Sequence, residues 1–216
     1  MLSIRFSFPE RLTRPPVPAR QDYRIRPYSF SQAPLRKLKM PEDTKLVHGF
    51  DLHQEVILDE VLEARRTVWI ATANLKDMHV AKVRGYMPIL ERFDLMAAEG
   101  VRFRVIHSEL PSRPFRDTLE DCGHLIGGGL ELQICPRSHW KMAIVDGRFA
   151  YMGSANFTGA GLGVRKPQRR NLELGIVTRD PGWVGRLSTL FDEFWVGNYC
   201  ADCGLRDRCP DPIVSP

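Results

Sequence analysis

The segment from His139 to Asn156, HWKMAIVDGRFAYMGSAN, constrains this chain more than any other. It reads as two strands, Trp140 to Val145 and Phe149 to Met152, joined at Asp146-Gly147. That dipeptide signals a tight hairpin, because a type I′ turn needs positive φ at both central residues. Strand side chains alternate between faces, so His139 and Lys141, two apart, are expected on one face. The return strand carries Ser154 and Asn156 back alongside them. One face then offers a nucleophile together with cationic and hydrogen-bonding groups.

The rest of the chain supplies a sheet and its covering layers. Leu52, Val56, Ile57, Val61 and Leu62 recur at helical spacing, and Thr67 to Ala73 (TVWIATA) follows as a buried strand. Met78 to Glu99 reads as helical material interrupted near Gly85 and Pro88. Gly100 ends it before a strand from Val101 to His107. A helix is expected around Pro114 to Cys122. Gly127, Gly128 and Gly129 form a turn into a strand from Leu130 to Cys135, whereas phosphate-binding glycines precede a helix. Leu172 to Thr178 is a further strand. Asp180 caps a last helix with Pro181 at its first position, and Val184, Leu187, Phe191 and Trp195 lie on its apolar face. Strands and helices alternate, which gives an α/β fold with a mixed β-sheet sandwiched between helices.

A length of 216 residues suits one catalytic domain with appended segments. The expected division is a basic Pro/Arg-rich arm over 1–45, a catalytic domain over 46–197 and a cysteine-bearing tail over 198–216. The first 40 residues carry nine Lys and Arg against Glu10 and Asp22. The net charge of +5 therefore resides in the arm, and the remainder is slightly acidic. No apolar run approaches the ~18 residues of a membrane span, so no stable membrane insertion is expected.

His139, Lys141, Asp146, Gly153, Ser154 and Asn156 match, in identity and spacing, the His-x-Lys-x4-Asp-x6-Gly-Ser-x-Asn signature of the phospholipase D superfamily. Six fixed positions agree by chance with a probability on the order of one in a million, so the chain is identified as resembling that superfamily. The resemblance covers roughly residues 50–197 and implies a metal-independent phosphodiesterase. In it His139 attacks phosphorus to form a covalent phosphohistidine, Lys141 and Asn156 serve the non-bridging oxygens, and Ser154 is a further residue of the catalytic face. It also implies that Glu173, on the next strand, accepts a hydrogen bond from the nucleophilic histidine. Asp146, at the hairpin turn, and Gly153 are assigned structural roles. Such reactions use two histidines, yet none of His48, His53, His79, His107 and His124 has a lysine two residues on. The chain thus resembles the single-motif members, the Nuc-type endonucleases and Zucchini-type proteins, which implies a homodimer sharing a composite active site.

Cys200, Cys203 and Cys209 form Cys-x2-Cys-x5-Cys in the tail, a metal-ligand spacing, with Cys135 or Cys122 as fourth thiolate and His124 behind them. The triplet resembles the iron-sulfur knot of certain recombination and CRISPR-associated nucleases, which implies a [4Fe-4S] cluster. Zinc, or no metal at all, is the alternative. Arg165, Lys166, Arg169 and Arg170 lie just ahead of the Glu173 strand, where they can line a groove tracking a nucleic-acid backbone. A nuclease acting on DNA or RNA is therefore favoured over a phospholipase or cardiolipin-type lipid phosphodiesterase. A non-catalytic nucleic-acid-binding subunit of a DNA-processing or defence complex, with a protein partner, is the remaining alternative. Cysteine usage of the reduced type favours the cytoplasm.

Overall fold

The computed structural model describes residues 41–81, 85–162 and 167–213. Contacts divide the chain into Met1–Leu38 and Lys39–Pro216, and the described residues belong to the second unit. The basic arm lies outside them up to residue 40.

Nine strands are described: β1 (Thr44–His48), β2 (Thr67–Thr72), β3 (His79–Ala81), β4 (Tyr86–Pro88), β5 (Arg102–His107), β6 (Leu130–Ile134), β7 (Met142–Val145), β8 (Phe149–Gly153) and β9 (Leu174–Thr178). Seven form one sheet in the order β1-β9-β8-β7-β2-β5-β6. The β2–β5 and β5–β6 pairs are parallel, and the others are antiparallel. The expected mixed α/β sheet between helices is therefore the observed one. β1 begins inside the segment assigned to the arm; its Lys45 and Leu46 alternate too briefly to mark a strand without their partner β9. The expected helix after Met78 is instead a β3–β4 hairpin. Helical structure resumes only past Pro88, in α2 (Ile89–Ala98), because proline is tolerated at a helix entry but not inside.

Helix α1 (Phe50–Leu52) continues into a π-helical stretch, His53–Val61, whose Val56, Ile57 and Val61 are fully buried. With α2 and with α3 (Arg113–Glu120) it covers one sheet face. There it packs on Val68, Ile70, Phe103, Val105, Ala143, Val145, Tyr151 and Val177. The residues between these in the strands face the other way. Ile106, Met142, Ile144 and Ala150 meet Val184, Leu187 and Phe191 of α4 (Pro181–Trp195). This alternation lets two opposed helical layers share one sheet. Burying each of those three α4 side chains contributes roughly 1.5–3 kcal/mol. α4 starts where Asp180 accepts a hydrogen bond from the Trp183 amide at 2.9 Å, with Pro181 next, as the cap spacing predicts.

Candidate active site

The motif residues other than Asp146 lie where β7 begins and β8 ends, beside the start of β9. β7 starts at Met142, two residues later than expected, so His139 and Lys141 lie in the extended segment leading into it. The last rung of β7 with β2 is Met142–Ala71, after which the β2 chain turns away toward Asn156. On its other side Lys141 stays aligned, because its carbonyl accepts the Gly153 amide at 3.0 Å. Gly153 is required at this crossing. A Cβ there would stand 2.6 Å from both the Leu174 carbonyl oxygen and the Tyr151 hydroxyl. Tyr151 is buried beneath and accepts the Ala155 amide at 3.2 Å; burial pushes its phenol up to about 12.

Next to Gly153, Ser154 donates its hydroxyl to the Glu173 carboxylate and accepts the Leu174 amide at 3.1 Å. The second Glu173 oxygen accepts the Asn171 side-chain amide at 3.0 Å. Glu173 thus serves Ser154 and Asn171, and among the described residues it makes no hydrogen bond to His139. The physical reason is register: Ser154 lies across the β8–β9 ladder and Asn171 only two residues away, so both oxygens are occupied locally. Lys141 donates from Nζ to the His139 carbonyl at 2.9 Å. Burial lowers its pKa from the ordinary lysine value, and the Glu173 charge works against that lowering. His139, Ser154 and Asn171 are exposed, so this end of the sheet opens on solvent.

Asn156 is fixed by groups the sequence left unremarked. Its Oδ1 accepts from the Ala73 amide at 3.1 Å, the Asn74 amide at 3.3 Å and the Thr72 hydroxyl at 3.2 Å. The two backbone amides on that oxygen fix which end of the side-chain amide faces them, with Nδ2 at the other end. Thr72 is itself buried and accepts the Phe157 amide at 2.9 Å. A threonine ending the apolar run TVWIAT was the available signal. Asp146 and Gly147 have φ of 52° and 65°, as a type I′ turn demands. The Asp146 carboxylate accepts the amides of Arg65, Arg66 and Thr67 at 2.9, 2.8 and 2.9 Å. Burial opposes its charge, but these three donors and Arg148 outweigh it and hold the carboxyl below its ordinary range. Asp146 thereby ties the hairpin to the loop entering β2, away from the cluster.

A family model described as "Cardiolipin synthase, PLD-like domain" matches residues 57–195, well over half of the chain. The chain belongs to the PLD-like family. That places it in the phospholipase D superfamily. Its fold is similar to that of the phospholipase D family member Nuc from Salmonella typhimurium, at 16% identity and a TM-score of 0.50, covering 70% of this chain and 93% of that one. NucT from Helicobacter pylori matches at 15% identity over 70% of this chain and 94% of that one, TM-score 0.49. TrmBL2, described as an archaeal chromatin protein with a novel mode of DNA binding, matches at 17% identity and TM-score 0.48. The match covers 76% of this chain, which spans only 56% of that protein. No curated protein matches it.

Of the basic loop in this PLD-like chain, Arg165 and Lys166 lie outside the described residues. Arg169 ends a short 3-10 turn, Pro167–Arg169, and is exposed. Arg170 stacks over the Phe50 ring at 4.8 Å, which anchors the loop one residue before Asn171. Around this entrance Leu46, Leu172 and Leu174 are exposed apolar residues at the β1–β9 edge.

The cysteines separate into two environments. Cys135, Cys200, Cys203 and Cys209 line one cavity of about 200 Å³. Cys122 lies elsewhere, buried, its thiol donating to the Thr118 carbonyl at 3.3 Å. Burial and the surrounding Asp94, Glu91, Asp121 and Asp77 push it up to about 11. His124 is engaged by Asp94 at 3.0 Å. Among the described residues no group of three or more His, Cys, Asp or Glu side chains is arranged to hold a metal ion. No described helix is long and apolar enough to cross a membrane.

Proposed function

We propose that this PLD-like phosphodiesterase is a metal-independent nuclease that cleaves DNA or RNA through a phosphohistidine on His139. The observation that carries the reading is the meeting of Lys141, Ser154, Asn171 and Glu173 at one sheet end, beside the complete His139–Asn156 motif and the Arg169–Arg170 turn. In the first step a His139 ring nitrogen attacks phosphorus, an N–P bond forms, and the P–O bond to the leaving nucleoside oxygen breaks. The Lys141 ammonium and the Asn156 Nδ2 group stabilise the charge growing on the non-bridging oxygens. A second imidazole protonates the leaving oxygen. It then takes a proton from the water that attacks phosphorus and releases His139.

One chain offers one such motif, so the second imidazole is assigned to His139 of the partner subunit in a twofold homodimer. The exposed Leu46, Leu172 and Leu174 beside the site support this reading, since contiguous exposed apolar residues favour contact surfaces. Glu173 acts as a positioning residue, holding Ser154 in place and offsetting the Lys141 charge. The basic residues at the entrance favour a polyanion over a single lipid headgroup.

Labelled single- and double-stranded DNA and RNA, and cardiolipin vesicles, are incubated with the full chain and with His139→Ala in excess chelator, the mass in solution being measured at the same concentration. Chelator-resistant cleavage of a polymer by a dimer, lost in the variant, is expected. Vesicle hydrolysis without polymer cleavage would replace the nuclease with a lipid phosphodiesterase, and polymer binding without cleavage would replace it with a binding subunit. An active monomer would overturn the shared site.

A further inference from the structure

The cavity lined by Cys135, Cys200, Cys203 and Cys209 plays no part in the phosphodiester chemistry, yet it adjoins the segment that carries His139. Its wall includes Ser138 and Trp140, the two neighbours of His139 in the chain. Ser138 is buried to 3% exposure, and among the described residues its hydroxyl has no hydrogen-bond partner. A buried hydroxyl left unpaired costs ~1–3 kcal/mol, so a native site that keeps one implies a partner for it. The chain around the cavity is braced from several sides. The Cys135 amide donates to the His107 carbonyl at 2.7 Å, and the Ser138 amide to the Cys135 carbonyl at 2.9 Å. Asp211 accepts the Ile134 amide at 3.1 Å, and Arg206 donates to the Cys200 carbonyl at 2.9 Å. These bonds strap the tail onto the sheet edge at β6 while four thiols and one orphan hydroxyl line the space between.

Two ligands fit four thiolates, a zinc ion and an iron-sulfur core. A zinc ion at 2.3 Å from each sulfur holds tetrahedral sulfurs about 3.8 Å apart, converging on a point. Here the four thiols line a cavity of about 200 Å³, and among the described residues no group of three or more His, Cys, Asp or Glu side chains is set to hold a single ion. An iron-sulfur core brings its own volume, is held by four cysteine thiolates, and carries sulfides that accept hydrogen bonds. Arg137 lines the same cavity and supplies positive charge beside the thiols. Cys122 is excluded by its separate, acid-lined surroundings.

We propose that Cys135, Cys200, Cys203 and Cys209 bind a [4Fe-4S] cluster in this cavity, with the Ser138 hydroxyl donating to a cluster sulfur. The cluster closes a loop between Cys135 and the tail, so it also fixes the 135–140 segment from which His139 projects. This consequence for His139 rests on the proposed function, whereas the site itself does not.

The test uses the full chain purified without oxygen from iron-replete cells, with iron, zinc and acid-labile sulfide measured alongside visible spectra and thermal melting. About four iron and four sulfide per chain are expected. Cys135→Ser should lose most of the iron, and Cys122→Ser should retain it. Ser138→Ala should keep iron and melting temperature but shift the cluster to a more negative reduction potential, because a hydrogen bond to sulfur stabilises the reduced, more negative cluster. Stoichiometric zinc or a protein without metal would overturn the cluster. Iron retained in Cys135→Ser and lost in Cys122→Ser would overturn the ligand assignment. An unchanged potential in Ser138→Ala would remove the hydroxyl's role. Each of these readouts is independent of nuclease activity, so failure of the catalytic reading leaves them interpretable.

Discussion

Replacing Asp146 separates a structural carboxylate from a catalytic one. Its side chain is 7% exposed and accepts three backbone amides. A hydrogen bond to a charged group contributes about 1.5–3 kcal/mol, but the Arg65 and Arg66 amides are exposed and take water when the carboxylate is gone. Only the part-buried Thr67 amide bears the full loss. Asp146→Asn keeps one acceptor oxygen and tolerates the φ of 52°, so we expect it to cost about 1–2 kcal/mol. Asp146→Ala adds the left-handed penalty of ~1–2 kcal/mol and should cost about 2–4 kcal/mol in all. For a domain of this size that is roughly 4–16 °C in melting temperature. The sign with pH follows from the carboxyl lying below its ordinary value in the fold. Its stabilisation is complete above the unfolded pKa of about 3.9 and is lost as pH falls through the lower folded value. Melting curves of wild type and Asp146→Asn should therefore converge in acid. Activity at temperatures where both are folded should be nearly equal. An Asn variant that melts like wild type but has no activity would refute the structural assignment.

Gly153→Ala should destabilise by about 1–3 kcal/mol through overpacking against backbone and Tyr151, and should reduce turnover by moving Ser154; a wild-type melting curve would count against the crowding described. Because burial lowers Lys141, the alkaline limb of the pH–rate profile should fall below that of an ordinary lysine. Removing the opposing charge with Glu173→Gln should move that limb lower still, and an upward move would show that the two groups are not coupled.

The hairpin was legible because the Asp-Gly turn and the alternation of MAIV and FAYM are local properties of the chain. The α4 cap and the β2 and β5 strands were legible for the same reason. β1 was not, since Thr44–His48 is held by β9, 130 residues away in sequence. Likewise Met78–Glu99 contains helix-compatible residues whose first part is held in a hairpin by pairing. At the site, the identities of His139, Lys141, Ser154 and Asn156 were readable from spacing. Their supports were not: Thr72 and the amides of Ala73 and Asn74 reach Asn156 only through tertiary folding. The partners of Glu173 depend on the β8–β9 register in the same way. Which of Cys135 and Cys122 shares a cavity with the tail could not be read from spacing, because both precede it by a long stretch of chain.

A double displacement through His139 dictates the stereochemical course at phosphorus. A cleavable strand carrying one phosphorothioate of known configuration is hydrolysed in isotopically labelled water, and the product configuration is determined. Two successive in-line displacements, by His139 and then by water, predict retention, with no product from His139→Ala. Inversion would mean that water attacks phosphorus directly and would contradict the phosphohistidine account.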